Sequence, residues 1–243
     1  MLREELVACC KALKLGASLV ENSALVSAPT HEEFLLKILR LEMEYRELTR
    51  RNRLLKGAGF YNIKTLADYR FNDIKLPSGL EPHHLKDLSF VADKRNLILY
   101  GNVGTGKSHL ATALGVEACN RGLEARFFRT AALVNRLTEA KKGGELSAFL
   151  KQLNKADLLI CDEWGYVPLE REGAQLLFQV IADCYERRSV IITTNLEFSR
   201  WVNVFYDEQM TAALMDRLIH HSYLLIFDGP SWRMRNSLMR QPD

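Results

Sequence analysis

The stretch Gly101-Asn102-Val103-Gly104-Thr105-Gly106-Lys107-Ser108 restricts the fold more than any other part of the chain. It fits the pattern G-x-x-x-x-G-K-[ST], which works only between a buried strand and a helix. Both are present in the sequence. Asn96-Leu97-Ile98-Leu99-Tyr100 is an apolar run immediately before, and His109-Leu110-Ala111-Thr112-Ala113-Leu114 is a good helix former immediately after. The chemistry follows from charge. Glycines let successive N–H groups turn inward as a nest for an anion, and the helix N-terminus adds partial positive charge. Lys107 is then expected to reach the β- and γ-phosphates of a nucleotide, and the Ser108 hydroxyl to ligate Mg²⁺. Gly101 to Ser108, with His109 next on the helix, are the expected phosphate-binding residues.

A second apolar run, Leu158-Leu159-Ile160-Cys161, ends in Asp162-Glu163. Ligands of open α/β sheets sit at the carboxyl ends of the strands. Asp162 is therefore expected to face the Mg²⁺, and Glu163 to orient and polarise the attacking water. Val190-Ile191-Ile192-Thr193-Thr194 is a third such run. It ends in Asn195, whose amide is placed to hold that water or touch the γ-phosphate.

Organisation along the chain supports the same fold class. Apolar runs at 96–100, 125–128, 158–162, 190–194 and 223–227 alternate with helical patterns at 107–120, 130–154 (broken at Gly143-Gly144), 172–187 and 208–219. Near-continuous apolar strands separated by helices indicate a parallel sheet covered on both faces. A five-stranded α/β domain is expected over 81–243. Residues 1–66 read as a helical domain. Leu13, Ala17 and Val20 have helical spacing, and Pro29-Thr30-His31-Glu32-Glu33 reads as a helix start capped by Thr30. Residues 67–80, with Pro77, Ser78 and Gly79, read as a linker.

Composition excludes other classes. In 243 residues, 47% hydrophobic and 26% charged, there is ample material for a core and no bias toward disorder. No run of 18 apolar residues occurs, so no membrane span is expected. The opening Met1-Leu2-Arg3-Glu4-Glu5-Leu6 has acidic residues where a signal peptide needs basic ones, so a cytoplasmic protein is expected. The five cysteines, Cys9, Cys10, Cys119, Cys161 and Cys184, form no C-x-x-C pair and read as small apolar residues. The net charge of +3 is unevenly placed: residues 1–66 hold 11 basic and 8 acidic residues, and 67–243 hold 22 of each. The excess concentrates in Arg46, Arg50, Arg51, Arg53 and Lys56, which is either a phosphate-binding surface or a helix end with favourable charges.

At this point the residues resemble a known family. GNVGTGKSHLA, LLICDEWGYVP, IITTN, DEQMTAALMDRLIHHS and SWR stand in the order seen in the IstB family of insertion-sequence ATP-binding helpers, AAA+ proteins close to the helicase loader DnaC. The resemblance covers about residues 30–240. It implies ATP as the nucleotide, Walker A at Gly101 to Ser108, Walker B at Asp162 and Glu163, and a sensor role for Asn195. It further implies that Arg217, in Asp216-Arg217-Leu218, is an arginine finger offered to a neighbouring subunit, and that Arg233, in Ser231-Trp232-Arg233, senses bound nucleotide. It makes 130–154 an extra helical insertion able to touch DNA, through Arg136, Lys141, Lys142 and Lys151. Trp164 stands where the family has an aliphatic residue.

Three functions are compatible with these residues. The first is an ATPase that assembles on duplex DNA as a ring or helical filament, with little sequence preference, and helps a transposase choose its target. The second is a DnaC-like loader of a replicative helicase, which would bind single strands. An aromatic-rich channel would favour single-strand stacking, yet Phe149 is the one aromatic residue in 130–154, which favours the first. The third is a nucleotide-dependent switch with no DNA role.

Overall fold

The computed structural model describes residues 1–67 and 69–235. Two compact units are present, Met1–Arg53 and Leu54–Asp243. The expected boundary at 66/67 falls inside the second unit. Leu54, Leu55, Phe60 and Leu66 explain this, because all four pack against that unit's own core.

The first unit holds helices α1 (Leu2–Ala12), α2 (Ser18–Ser23) and most of α3 (His31–Ala58). Thr30 does cap α3: its hydroxyl accepts from the Glu33 backbone N–H at 3.2 Å. The helical spacing of Leu13, Ala17 and Val20 is interrupted, because Lys14 takes a left-handed backbone (φ 55°) between α1 and α2. Only Cys10, Val20 and Ile38 are buried apolar residues here, while Leu2, Leu6, Leu35, Leu39 and Met43 are among many left exposed.

The second unit is an α/β domain. In chain order it contains β1 (Ile74–Lys75), α4 (Pro82–Lys86), α5 (Ser89–Ala92), β2 (Asn96–Gly101), α6 (Lys107–Asn120), β3 (Ala125–Arg129), α7 (Thr130–Lys142), α8 (Leu146–Leu153) and β4 (Leu158–Trp164). There follow α9 (Arg171–Cys184), β5 (Ser189–Thr194), α10 (Val202–Phe205), α11 (Glu208–His220), β6 (Ser222–Phe227) and α12 (Trp232–Arg235). The sheet order is β1-β6-β2-β5-β4-β3. Strands β6, β2, β5, β4 and β3 are parallel, as the apolar runs indicate, and β1 is antiparallel to β6. This sixth strand lies in the stretch read as a linker. Two residues are too few to display a period, so only pairing with β6 reveals it.

Each central strand alternates its side chains between two cores, as a sheet covered on both faces must. Ile98, Leu159, Cys161, Val190 and Ile192 join α7, α9 and α11 on one face. Leu97, Leu99, Leu158, Ile160 and Ile191 join α5 and α6 on the other. Helix α6 lies close on the sheet because Gly115 has no side chain: a Cβ there would stand 2.6 Å from Ile160 Cδ1. Four of the five cysteines are buried and Cys9 is exposed. No helix among the described residues is long and apolar enough to cross a membrane.

Candidate nucleotide site

The parallel strands deliver their last residues to one end of the sheet. Loop 101–108 follows β2 there and enters α6, with Gly104 and Gly106 at φ +80° and +100°. Lys107 is buried, and its ammonium donates to the carbonyls of Gly101 and Asn102, both at 2.7 Å. Two of its three donors are used there. Burial pulls the Lys107 ammonium down to about 8; Asp162 opposes that fall and the Arg233 guanidinium adds to it. Lysine, carboxylate and arginine therefore share one electrostatic field.

Asp162 ends the apolar part of β4 and is also buried. Its Oδ1 accepts from Ser108 Oγ at 2.7 Å and from the Thr193 hydroxyl. The same Thr193 oxygen accepts from the Glu163 backbone N–H at 3.0 Å. Thr193 thus locks both acidic residues to β5, and sequence reading passed over it. Its signal lay in its strand position: it sits two residues before Asn195 and shares a face with Ile191, so it points away from Ile192 and Thr194.

The β4–β5 register slips between Cys161 and Trp164, and Glu163 lies in that slip with φ +59°. Such a backbone costs a non-glycine residue about 1–3 kcal/mol, and bulges of this kind re-aim side chains. Here the bulge leaves Glu163 half exposed, with Oε2 3.5 Å from Arg129 Nε, while the Arg129 guanidinium lies 4.7 Å from the Tyr61 ring. Trp164 turns inward instead. It is fully buried, 5.3 Å from the Trp201 ring and 5.7 Å from Phe205, with its indole N–H unpartnered.

The segment after β6 returns to the loop. Trp232 N donates to Gly104 O at 2.9 Å. Arg233 follows directly, and Arg235 lies 3.8 Å from Asp73. Tyr166, past β4, is another residue the sequence did not single out: burial raises its phenol pKa, Glu163 and Asp162 raise it further, and Arg233 opposes. On the other flank the Tyr69 hydroxyl lies 3.4 Å from Gly106 O and its ring 5.2 Å from His109. Burial lowers the His109 pKa, helped by Lys64 and opposed by a hydrogen bond with Thr65.

The remaining expected residues lie elsewhere or stand apart. Asn195 is exposed just past β5, and it is Thr193 that reaches Asp162. Arg217 is exposed on α11, with its guanidinium 5.8 Å from the Phe178 ring. It lines a groove of about 560 Å³ with Tyr185, Glu186 and Arg187. Helix α11 ends where β6 begins, and Ser222 of β6 pairs with Asn96 at the start of β2. The phosphate loop follows the other end of β2, about 17 Å away along a six-residue strand. Arg217 is therefore no part of its own chain's Lys107 cluster. Arg136, Lys141, Lys142 and Lys151 are all exposed on α7 and α8. Arg136 stacks 4.6 Å from the Phe149 ring, and Lys141 pairs with Glu172 at 2.7 Å.

The comparisons with known proteins agree with this architecture. The family model described as IstB-like ATP binding protein matches residues 11–240. An insertion sequence IS21 putative ATP-binding protein of Pseudomonas aeruginosa is 37% identical over 90% of this chain and 82% of its own length. An insertion sequence IS5376 putative ATP-binding protein of Geobacillus stearothermophilus is 33% identical over 99% of this chain and 98% of its own. Among solved structures, DnaI superposes with a TM-score of 0.51 over 69% of this chain and 89% of its own, at 19% identity, which shows a shared α/β fold. With a phosphate loop, an acidic strand end and a returning arginine in one α/β unit, and with relatives matched over nearly their full length, the chain belongs to the family of IstB-like ATP-binding proteins of insertion sequences.

Proposed function

We propose that this protein is a Mg²⁺-dependent ATPase that assembles on duplex DNA and helps a transposase in target selection and transposition. The observation that carries the reading is the chain of contacts Ser108–Asp162–Thr193–Glu163 beside the buried Lys107. A hydroxyl and a carboxylate within 2.7 Å of each other are hard oxygen donors of the kind Mg²⁺ prefers. Mg²⁺, when bound, would offset the charge of the phosphate oxygens. Lys107 exchanges its two loop carbonyls for the β- and γ-phosphates, and Glu163 orients the attacking water once it leaves Arg129.

The site needs one more cation from outside. Among the described residues, Lys107 and Arg233 are the cations whose charges meet at the loop, and Arg217 lies near the opposite end of β2. If Arg217 acts on ATP, it does so on a neighbour's. Such a head-to-tail contact closes into a ring or runs on as a helical filament. Val103, Tyr166, Val167 and Trp232 support this, since all four are exposed around the phosphate loop, where an adjacent subunit would cover them. The exposed apolar residues of α1 and α3 suit contacts with the transposase or with other subunits. Such a protein works in the cytoplasm, where ATP and chromosomal DNA are available.

The test is DNA binding by filter retention, on duplex and single strands, with and without ATP. Duplex binding that requires ATP, falls steeply with salt and weakens when Lys141 and Lys142 are both neutralised is expected. Preference for single strands together with a grip on a replicative helicase would favour the DnaC-like loader instead. No binding to either form would leave a nucleotide switch. Turnover should stop in Glu163→Gln while ATP still binds.

A further inference from the structure

Strand β4 changes its alternation at its acidic end, and a tryptophan marks the change. Leu159 and Cys161 belong to the core shared with α7, α9 and α11, and Leu158 and Ile160 to the core on the other face. By strict alternation Asp162 would follow Leu158 and Ile160, Glu163 would follow Leu159 and Cys161, and Trp164 would share the side of Asp162. The first holds, since Asp162 meets Ser108 of α6. The other two are exchanged. Trp164 lies in the core with Leu159 and Cys161, and Glu163 is half exposed. The register records the exchange: Cys161 stands opposite Ile192 and Trp164 opposite Thr194, three steps along β4 for two along β5. One extra residue on one strand is a β-bulge, and a one-residue slip moves each later side chain to the other face.

The pocket that receives Trp164 is built by segments distant in sequence. Its indole is fully buried, 5.3 Å from the ring of Trp201 and 5.7 Å from that of Phe205. Trp201 is itself fixed, because its indole N–H donates to Leu196 O at 3.3 Å and Phe198 lies 5.2 Å from its ring. The backbone is tied at the same point. Thr194 Oγ1 donates to Trp164 O at 2.9 Å and accepts from Leu196 N at 3.0 Å. Gly165 then turns with φ +79°, and a Cβ there would stand 2.8 Å from Leu196 Cδ2. The Trp164 indole N–H has no partner in this pocket. Leaving a buried donor unpaired is unfavourable, so apolar packing of the ring is what holds the side chain inward. Between these anchors Glu163 adopts φ +59°, a backbone that a non-glycine residue disfavours.

We infer that Trp164 is the positioning residue for Glu163: seating its indole between Trp201 and Phe205 keeps the bulge in place and so keeps the carboxylate out of the core. The inference rests on the reading of Glu163 as the group that orients the attacking water. Trp164 itself touches neither nucleotide nor water in this scheme. Without a large ring to fill the pocket, the bulge loses its anchor and the glutamate its fixed direction.

The experiment measures ATP turnover and ATP affinity in the full chain for Trp164→Ala, Trp164→Leu, Trp164→Phe and Glu163→Gln, with circular dichroism to check the fold. Trp164→Ala should bind ATP within about 2-fold of the unaltered chain and lose kcat roughly 10- to 100-fold, part of the roughly 10²–10⁴ that a positioned base contributes. Equal losses in kcat and kcat/KM, with affinity kept, are the signature of an interaction made only in the transition state. Trp164→Phe keeps a ring between Trp201 and Phe205 and removes only an unpartnered N–H, so it should recover most of the rate. Should the alanine variant not fold, Trp164→Leu takes its place, with a loss of roughly 3- to 10-fold in kcat at unchanged affinity. Normal kcat in the alanine variant, or in the leucine variant in its place, overturns the inference while leaving Glu163 in its role. So does a loss of ATP affinity in proportion to the loss of rate, which would mean that the ring supports the whole site. Normal turnover in Glu163→Gln overturns the reading of Glu163 and the inference with it.

Discussion

The backbone N–H of Trp232 donates to the carbonyl of Gly104, across 2.9 Å. The contact joins the tip of the phosphate loop to the segment that carries Arg233, so loop shape and arginine position are set together. Gly104 makes this possible. It has φ +80°, and a Cβ there would stand 2.1 Å from Ser231 Oγ.

Gly104→Ala should therefore release the Ser231–Arg233 segment and strain the loop at the same time. ATP affinity is expected to drop at least 10-fold, about 1.4 kcal/mol, with the fold retained. Fluorescent nucleotide titration beside a thermal melt measures both. Normal affinity in the alanine variant would show that the docking does not matter to the site.

Lys107 gives a pH dependence with a definite sign. Its ammonium is lowered to about 8, chiefly by burial. Phosphates favour the charged form and raise that pKa in the complex. Free protein then holds fewer protons than the complex above pH 8, so affinity should fall as pH rises through 8 and binding should take up a proton there. Calorimetry at pH 8.5 in two buffers of different ionisation enthalpy reads the uptake. Lys107→Ala should bind weakly and show no such uptake; uptake that persists in it would assign the proton elsewhere.

Thr193→Val keeps the shape and removes one hydroxyl that serves both Asp162 and Glu163. Buried polar groups left without a partner cost about 1–3 kcal/mol. The variant should be less stable by about that amount in denaturant unfolding, need more Mg²⁺ for half-maximal turnover, and lose rate because Glu163 is no longer anchored. Thr193→Ser should recover most of all three. An unchanged Mg²⁺ requirement in the valine variant would separate Thr193 from the metal site.

Arg217→Ala should bind ATP nearly normally but lose hydrolysis, since an arginine supplied in trans contributes about 10³–10⁵ in rate in related chemistry. Mixing it with Lys107→Ala protein provides the decisive reading. Each partner keeps what the other lacks, so shared interfaces should recover part of the activity. Full turnover by Arg217→Ala alone, and none gained on mixing, would remove the arginine from the reaction.

Much of this was legible in one dimension because its physics is local. A phosphate loop needs its glycines, its lysine and its flanking strand and helix within about 20 consecutive residues, so Gly101 to Ser108 could be read directly. The five parallel strands were legible because burial on both faces demands an uninterrupted apolar run. The family resemblance implied a role for Arg233 from its tripeptide, and that arginine contributes to the lowered Lys107 pKa.

Tertiary structure alone decided whatever depended on pairing between distant segments. Strand β1 is two residues long and exists only because β6 offers an edge. The strand position of Thr193 sets only which face it shares; its role follows from β5 lying beside β4 in a register that puts its hydroxyl between Asp162 and the Glu163 amide. The separation of Arg217 from the phosphate loop follows from the length of β2, which the residues around Arg217 do not encode. Lys14 and Arg46, 32 positions apart, meet where a buried Glu42 holds the Gly16 amide and the Arg46 guanidinium. Sequence determines which residues want a buried, polar or left-handed setting, because those preferences belong to single residues and their neighbours. Which of them meet is decided by the packing of whole elements, where one register or one clasp outweighs any local preference.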